Sequence, residues 1–227
     1  MARKKLWEAS GHDVQMIAMV GSHTHSGLEI THVDPIRKSL ESGISTHFVD
    51  IEMPGASGWD REFAQRNALR SVMLDLARKN DLIISTDADE LVDPGMAKTI
   101  ERSCHAHGKV SLSMLLLYYG LDWVDSGTWI HGKAFLGSNI PDDLSALRND
   151  LARYAVPGCG WHISWQGGKD ARSSKAMAFS HSEFGDREGI AAIELGAKHG
   201  FDPHGNKLLH FDSSILPRPI IEFLGAK

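Results

Sequence analysis

The stretch Asp81-Leu-Ile-Ile-Ser-Thr-Asp-Ala-Asp-Glu-Leu91 carries a short apolar run directly into three carboxylates. Leu82, Ile83 and Ile84, bounded by polar residues, fit a strand buried on both faces of a mostly parallel sheet. The acidic cluster then falls at the strand's carboxyl end, which faces the ligand crevice in open α/β sheets. Carboxylates two positions apart in an extended segment also point the same way. Asp87 and Asp89 so placed predict a site for a hard divalent cation, manganese or magnesium, of the kind that neutralises a diphosphate leaving group.

The flanking sequence alternates strand and helix. Residues 14–20 predict a first strand, Gly21-Ser-His-Thr-His-Ser-Gly27 a polar loop, Asp34-Pro35 the start of a short helix, and residues 46–51 a second strand. Residues 53–58 have loop composition. Phe63, Leu69, Val72, Met73 and Leu76 then give residues 60–79 a helical period that feeds the acidic strand. This order predicts an α/β fold with a mostly parallel central sheet and helices on its faces. A helix follows Asp93-Pro94 to about residue 106, where a soft internal boundary falls within one domain spanning 1–227. Beyond it the expected elements are strands over 109–121 and 128–136, an amphipathic helix over 141–154, short strands over 160–165 and 176–180, and a closing helix over 186–199.

Composition narrows the class. A chain of 227 residues, 42% hydrophobic, can bury a conventional core, and a net charge of -5 spread along the sequence argues against a nucleic-acid partner. Arg3-Lys4-Lys5 is too short to be more than a solvated terminus. Cys104 and Cys159 lack any metal-knuckle spacing and fit free thiols in a reducing compartment. No run approaches the roughly 18 apolar residues of a membrane span, and the polar opening is unlike a signal peptide, so the expected location is cytoplasmic.

A second constellation lies in the other half. Gly158-Cys-Gly-Trp-His-Ile-Ser-Trp-Gln-Gly-Gly168 gathers Trp161, His162 and Trp165 beside a diglycine. Tryptophan faces stack on sugars, or else fill cores, and glycines let backbone amides approach a ligand. Lys175-Ala-Met-Ala-Phe-Ser-His-Ser-Glu183 then offers a lysine suited to phosphate, a histidine (His181) suited to a metal and a glutamate (Glu183) suited to proton abstraction.

These stretches, with Thr24-His-Ser-Gly27, Trp59-Asp-Arg-Glu-Phe-Ala-Gln-Arg-Asn67, Tyr118-Tyr-Gly-Leu-Asp-Trp123 and Phe179-Ser-His-Ser-Glu-Phe184, resemble glycosyltransferase family 17 in their order along residues 14 to 185. That group contains the β-1,4-mannosyl-glycoprotein 4-β-N-acetylglucosaminyltransferase. The resemblance implies a GT-A-like nucleotide-sugar fold, with a donor and metal half over about 14–105 and an acceptor half over about 106–215. It implies Asp87 and Asp89 on a divalent metal, with His181 as a remote third ligand. Arg61, Arg66, Asn67 and Lys175 fall among donor contacts, and Trp161, His162 and Trp165 among sugar contacts. The implied partners are a UDP-sugar donor, with N-acetylglucosamine as the sugar, and a glycan acceptor.

Two departures from the family pattern stand out. The usual opening strand with its Asn-Glu pair has no counterpart, which predicts an exposed sheet edge, a shallow base pocket and a homodimer as one remedy. The acidic residue after the diglycine is an aspartate, Asp170. An inverting transfer needs a carboxylate to take the acceptor hydroxyl's proton, and Asp170 and Glu183 are both candidates. A catalytically silent sugar-nucleotide or glycan-binding protein of the same descent is the competing expectation.

Overall fold

A computed structural model describes residues 2–30, 37–38, 43–52, 57–150, 153–178 and 184–224. In chain order its elements are helix α1 (Ala2–Ser10), strands β1 (Met16–Gly21) and β2 (Thr46–Ile51), helix α2 (Gly58–Leu76), strands β3 (Leu82–Ser85) and β4 (Glu90–Val92), and helix α3 (Ala97–His107). Strands β5 (Lys109–Tyr118) and β6 (Trp123–Leu136), helix α4 (Leu144–Asn149) and strands β7 (Ala155–Val156) and β8 (Gly160–Ser164) follow. Helices α5 (Lys169–Ala178) and α6 (Arg187–His199), strand β9 (Leu209–His210) and helix α7 (Arg218–Leu224) complete them.

The fold is α/β, but its main sheet is mixed rather than mostly parallel. The order is β3-β6-β5-β8-β4, with β7 on β5 and β9 on β6. The β3/β6, β5/β6, β4/β8 and β6/β9 pairs run antiparallel, whereas β5/β8 and β5/β7 run parallel. Strands β1 and β2 make a separate parallel pair, in register from Met16 on Thr46 to Gly21 on Ile51. The expected alternation of strand and helix holds from β2 through α2 to β3. The strand partners differ because β5 and β6 are long neighbours in sequence and pair as a hairpin, which takes the position that a third parallel strand was expected to fill.

β3 sits at the edge of this sheet and its residues are half-buried, not covered on both faces as expected. Its side chains still alternate between two layers. Leu82 and Ile84 face the cluster built on Ile100, Cys104, Val110, Leu112, Met114 and Ala134, whereas Ile83 joins Met73, Phe135, Leu144 and Leu147. α3 therefore covers one face of the sheet, and α2 with α4 covers the other.

β3 and β4 are joined by only four residues yet lie at opposite edges. With the hydrogen-bonded turn from Asp87 O to Glu90 N at 3.1 Å, the chain from Ser85 to Glu90 spans at most about 14 Å, against about 19 Å across four spacings of a flat sheet. The sheet therefore curls, and the acidic turn lies across the mouth of the curl.

Local signals explain most element ends. α2 starts one residue after Ser57, whose hydroxyl accepts from Asp60 N while Asp60 accepts from Ser57 N, a reciprocal cap. Asp186 caps α6, and Gly200, left-handed at φ 74, ends it. Other expectations are corrected. Residues 176–178 continue helix α5 rather than a strand, since Gly167 and Gly168 release the chain into a turn and Asp170 lies in the helix's first turn. The helix expected over 141–154 shrinks to α4, capped by Asp143. The start of a helix at Asp34-Pro35 lies outside the described residues.

The N-terminal basic run is not a solvated tail. α1 packs against α7, Lys4 is buried, and Arg3 reaches the acidic turn. Cys104 and Cys159 are free and buried, and burial pushes their thiols up to about 11 and about 12. No helix among the described residues is long and apolar enough to cross a membrane.

Candidate functional site

The turn from Thr86 to Glu90 is held on three sides. Asp87 N donates to Glu90 Oε2 at 3.0 Å, so Glu90 orients the turn from within it. Ile163 N donates to Asp89 O at 2.8 Å and fastens the turn to β8. From beneath, Arg3 Nη2 donates to the carbonyls of Asp87 and Glu90, the latter at 2.7 Å. Burial lowers the Arg3 guanidinium's proton affinity, and Glu90, Asp87 and Asp89 act against that.

Glu90 has no solvent exposure. A carboxylate so placed needs donors to offset the loss of water. Arg148 on α4 supplies them, with Nη2 2.6 Å from Oε1 and Nη1 3.1 Å from Oε2, and Trp129 Nε1 on β6 adds a third. The same Arg148 Nη2 lies 2.7 Å from Asp87 Oδ2, and Arg66 approaches Asp87 at 2.7 and 3.2 Å while pairing with Glu62 at 2.8 Å. Burial alone would raise Asp87, but Arg148 and Arg66 outweigh it and hold the carboxyl below the usual range. The reciprocal effect raises Arg66.

Asp89 points into the second half of the chain. Its Oδ2 lies 3.0 Å from Lys175 Nζ on α5 and 3.4 Å from His162 Nε2 on β8. Burial opposes ionisation, but His162 and Lys175 prevail and keep Asp89 well below the usual carboxylate range. The His162 ring packs on Trp129 at 4.2 Å between centroids, and its Nδ1 is buried without a hydrogen-bond partner among the described residues. Asp89 Oδ1 has no partner among the described residues. Among the described residues, the carboxylates of Glu62, Asp87, Asp89 and Glu90 thus meet the cations of Arg3, Arg66, Arg148 and Lys175.

The other expected residues divide. Asn67 Oδ1 accepts from Leu144 N at 2.7 Å and Ser145 N at 3.3 Å, so in this structure it caps α4 and thereby seats Arg148. Arg61 Nε donates to His25 O at 2.7 Å, under the loop at Gly27. Trp161 is half-buried against Leu91, Leu117 and Ile163. Trp165 is buried, with Lys175 Nζ 5.2 Å above its ring and Phe184 edge-on, so its face meets protein rather than solvent. Asp170 is exposed in the first turn of α5. His181 and Glu183 lie outside the described residues.

Sequence reasoning missed Arg3, Arg148 and Trp129. Each comes from an element remote in sequence from the acidic turn, and nothing in local spacing marks them. A separate cavity of about 270 Å³ lies at the carboxyl ends of β1 and β2, lined in part by Gly21, Asp50 and Glu52. That is the position at which open α/β sheets bind ligands. Comparison with family models, curated proteins and solved structures finds no match to this chain.

The donor set bears on a divalent cation. Among the described residues no three His, Cys, Asp or Glu side chains converge. Magnesium-type sites commonly use one or two carboxylates plus substrate phosphates and water, and Asp89, with Oδ1 unengaged, fits that requirement. Asp87, with both oxygens taken by guanidinium groups, fits an orienting role instead.

Proposed function

We propose that the chain is a metal-dependent inverting glycosyltransferase of GT-A type, moving a sugar, N-acetylglucosamine in the family it resembles, from a UDP donor to a glycan hydroxyl. One observation carries the reading: Asp89, on a turn braced from three directions, keeps an oxygen without a partner among the described residues, at the mouth of the curled sheet. A manganese or magnesium ion held by Asp89 would neutralise charge on the leaving diphosphate.

The chain's own groups do the rest. Among the described residues the carboxylates of the turn already face cations, so cation and diphosphate should bind as a pair. Lys175, beside Asp89, is placed to shift onto a phosphate oxygen. Arg66 and Arg148 keep Asp87 ionised and fixed. Asp170 and Glu183 remain the candidates for the base that accepts the acceptor proton. The nucleoside is assigned to the cavity at the ends of β1 and β2.

The competing reading, a silent sugar-nucleotide or glycan-binding protein, draws support from the saturation of Asp87 by two arginines. Incubating the protein with a panel of nucleotide-sugars, with and without manganese, and measuring nucleotide release and thermal shift separates the two. Metal-dependent release that Asp89→Asn abolishes is the expected result. Binding without release in every acceptor mixture would favour the silent protein, and release undiminished by excess chelator would remove the metal from the reading.

A further inference from the structure

The start of α5 and the end of α6 flank an open depression of about 460 Å³, lined by Tyr119, Lys169, Arg172, Glu194, Ala197 and Lys198. Its size falls within the range of about 300–1,000 Å³ typical of small-molecule pockets. Three cations and one carboxylate line it, a net positive surface on a chain whose net charge is -5.

The charges are not equivalent. Arg172 is fully committed: Nε and Nη2 each reach Glu194 at 2.7 Å and Nη1 donates to Gly167 O at 2.5 Å. The forked pair is mostly shielded, with side chains 12% and 24% exposed, and it forms a fixed wall. Arg172 first, with help from Lys169, holds the Glu194 carboxyl below its ordinary range. Lys169 and Lys198 make no hydrogen bond or ion pair among the described residues, and both are exposed. Two exposed ammonium groups with no hydrogen bond among the described residues thus flank a concave surface whose carboxylate, Glu194, can accept hydroxyl groups.

The cavity is coupled to the acidic turn by α5 itself. Lys169, Arg172 and Lys175 occupy successive turns, and Lys175 is the residue paired with Asp89. Lys169 lies only about 9 Å along the helix axis from Lys175.

We propose that this cavity binds an anionic group, a carboxylate or a sulfate or phosphate ester, carried on a saccharide, with Lys169 and Lys198 neutralising the anion and Glu194 accepting from neighbouring hydroxyls. The role of that saccharide as the acceptor rests on the transferase reading; the binding site itself does not.

The test is binding without donor or turnover. Glucuronic acid, glucose and inorganic sulfate are titrated into the full chain and followed by NMR shifts of the Tyr119 and Ala197 amides. The expected result is saturable binding of glucuronic acid, tighter than sulfate, with no response to glucose at the same concentration. The double variant Lys169→Gln/Lys198→Gln should weaken it at least about tenfold, the loss of charge-assisted hydrogen bonds, and Lys169→Arg/Lys198→Arg should retain it. Both positions are exposed, so the fold should be unchanged by circular dichroism. Glucose binding as well as glucuronic acid, sulfate binding as well as the sugar acid, or a Gln variant with unaltered affinity would each overturn the proposal. A chain that releases no nucleotide can still pass this test, and an active transferase of neutral glycans fails it alone.

Discussion

Replacing Arg148 by methionine keeps a side chain of similar reach but removes the guanidinium that lies 2.6 and 3.1 Å from Glu90 and 2.7 Å from Asp87. Glu90 is left fully enclosed with Trp129 Nε1 and the Asp87 amide as its donors. Removing one partner of a buried ion pair costs about 3–5 kcal/mol, because the surviving charge stays desolvated. Asp87 adds little, since it is about a third exposed and keeps Arg66. For a domain of this length the loss corresponds to a fall of about 6–20 °C in Tm. Adding Glu90→Gln removes the stranded charge, so Glu90→Gln/Arg148→Met should be more stable than Arg148→Met alone even though it carries one more substitution. Urea unfolding of the four proteins closes a double-mutant cycle, with an expected coupling of about 1.5–3 kcal/mol. A Tm drop below about 3 °C for Arg148→Met, or no recovery on adding Glu90→Gln, would refute the view that this arginine exists to satisfy the buried glutamate.

Two further outcomes follow from the same geometry. Lys133 is 1% exposed and among the described residues donates only to the Ile130 and His131 carbonyls, and burial, with Arg148 nearby, pushes its ammonium down to about 8. Free lysine titrates near 10.4, so between about pH 8 and about pH 10 the unfolded chain holds the proton that the folded chain releases; folded stability gains from this group as pH rises, and urea midpoints of Lys133→Met should lack that rise. Gly160 has φ +144, and a Cβ there would stand 2.0 Å from Leu91 O, whereas Gly158 at φ +66 has open space. Gly160→Ala should cost about 2–5 kcal/mol and Gly158→Ala about 1 kcal/mol by denaturant unfolding; equal costs would show that strand approach, and with it the seating of β4 and Glu90, is not what Gly160 serves.

Local chemistry was enough to place the elements that have strong punctuation. The apolar run into Asp87 and Asp89, the period of residues 60–79, the strand at 46–51 and the helix closing at Gly200 are all legible because caps, periodicity and left-handed glycines act within a few residues. The bond from the Asp87 amide to Glu90 within the turn is local in the same way.

Pairing and electrostatics were not legible. The hairpin of β5 and β6, which turned an expected parallel sheet into a mixed one, depends on which long strands find each other, and short apolar runs carry no label for their partners. Arg3 was read as part of a solvated terminus because the basic run is short, yet packing of α1 against α7 carries it to carbonyls 84 and 87 positions away. Arg148 reaches the turn because Asn67 caps α4 from another helix. The residue types able to form the acidic turn are written locally in the chain. Which cations neutralise each carboxylate is decided by contacts between elements far apart in sequence, where burial makes each charge depend on a partner that no local pattern names.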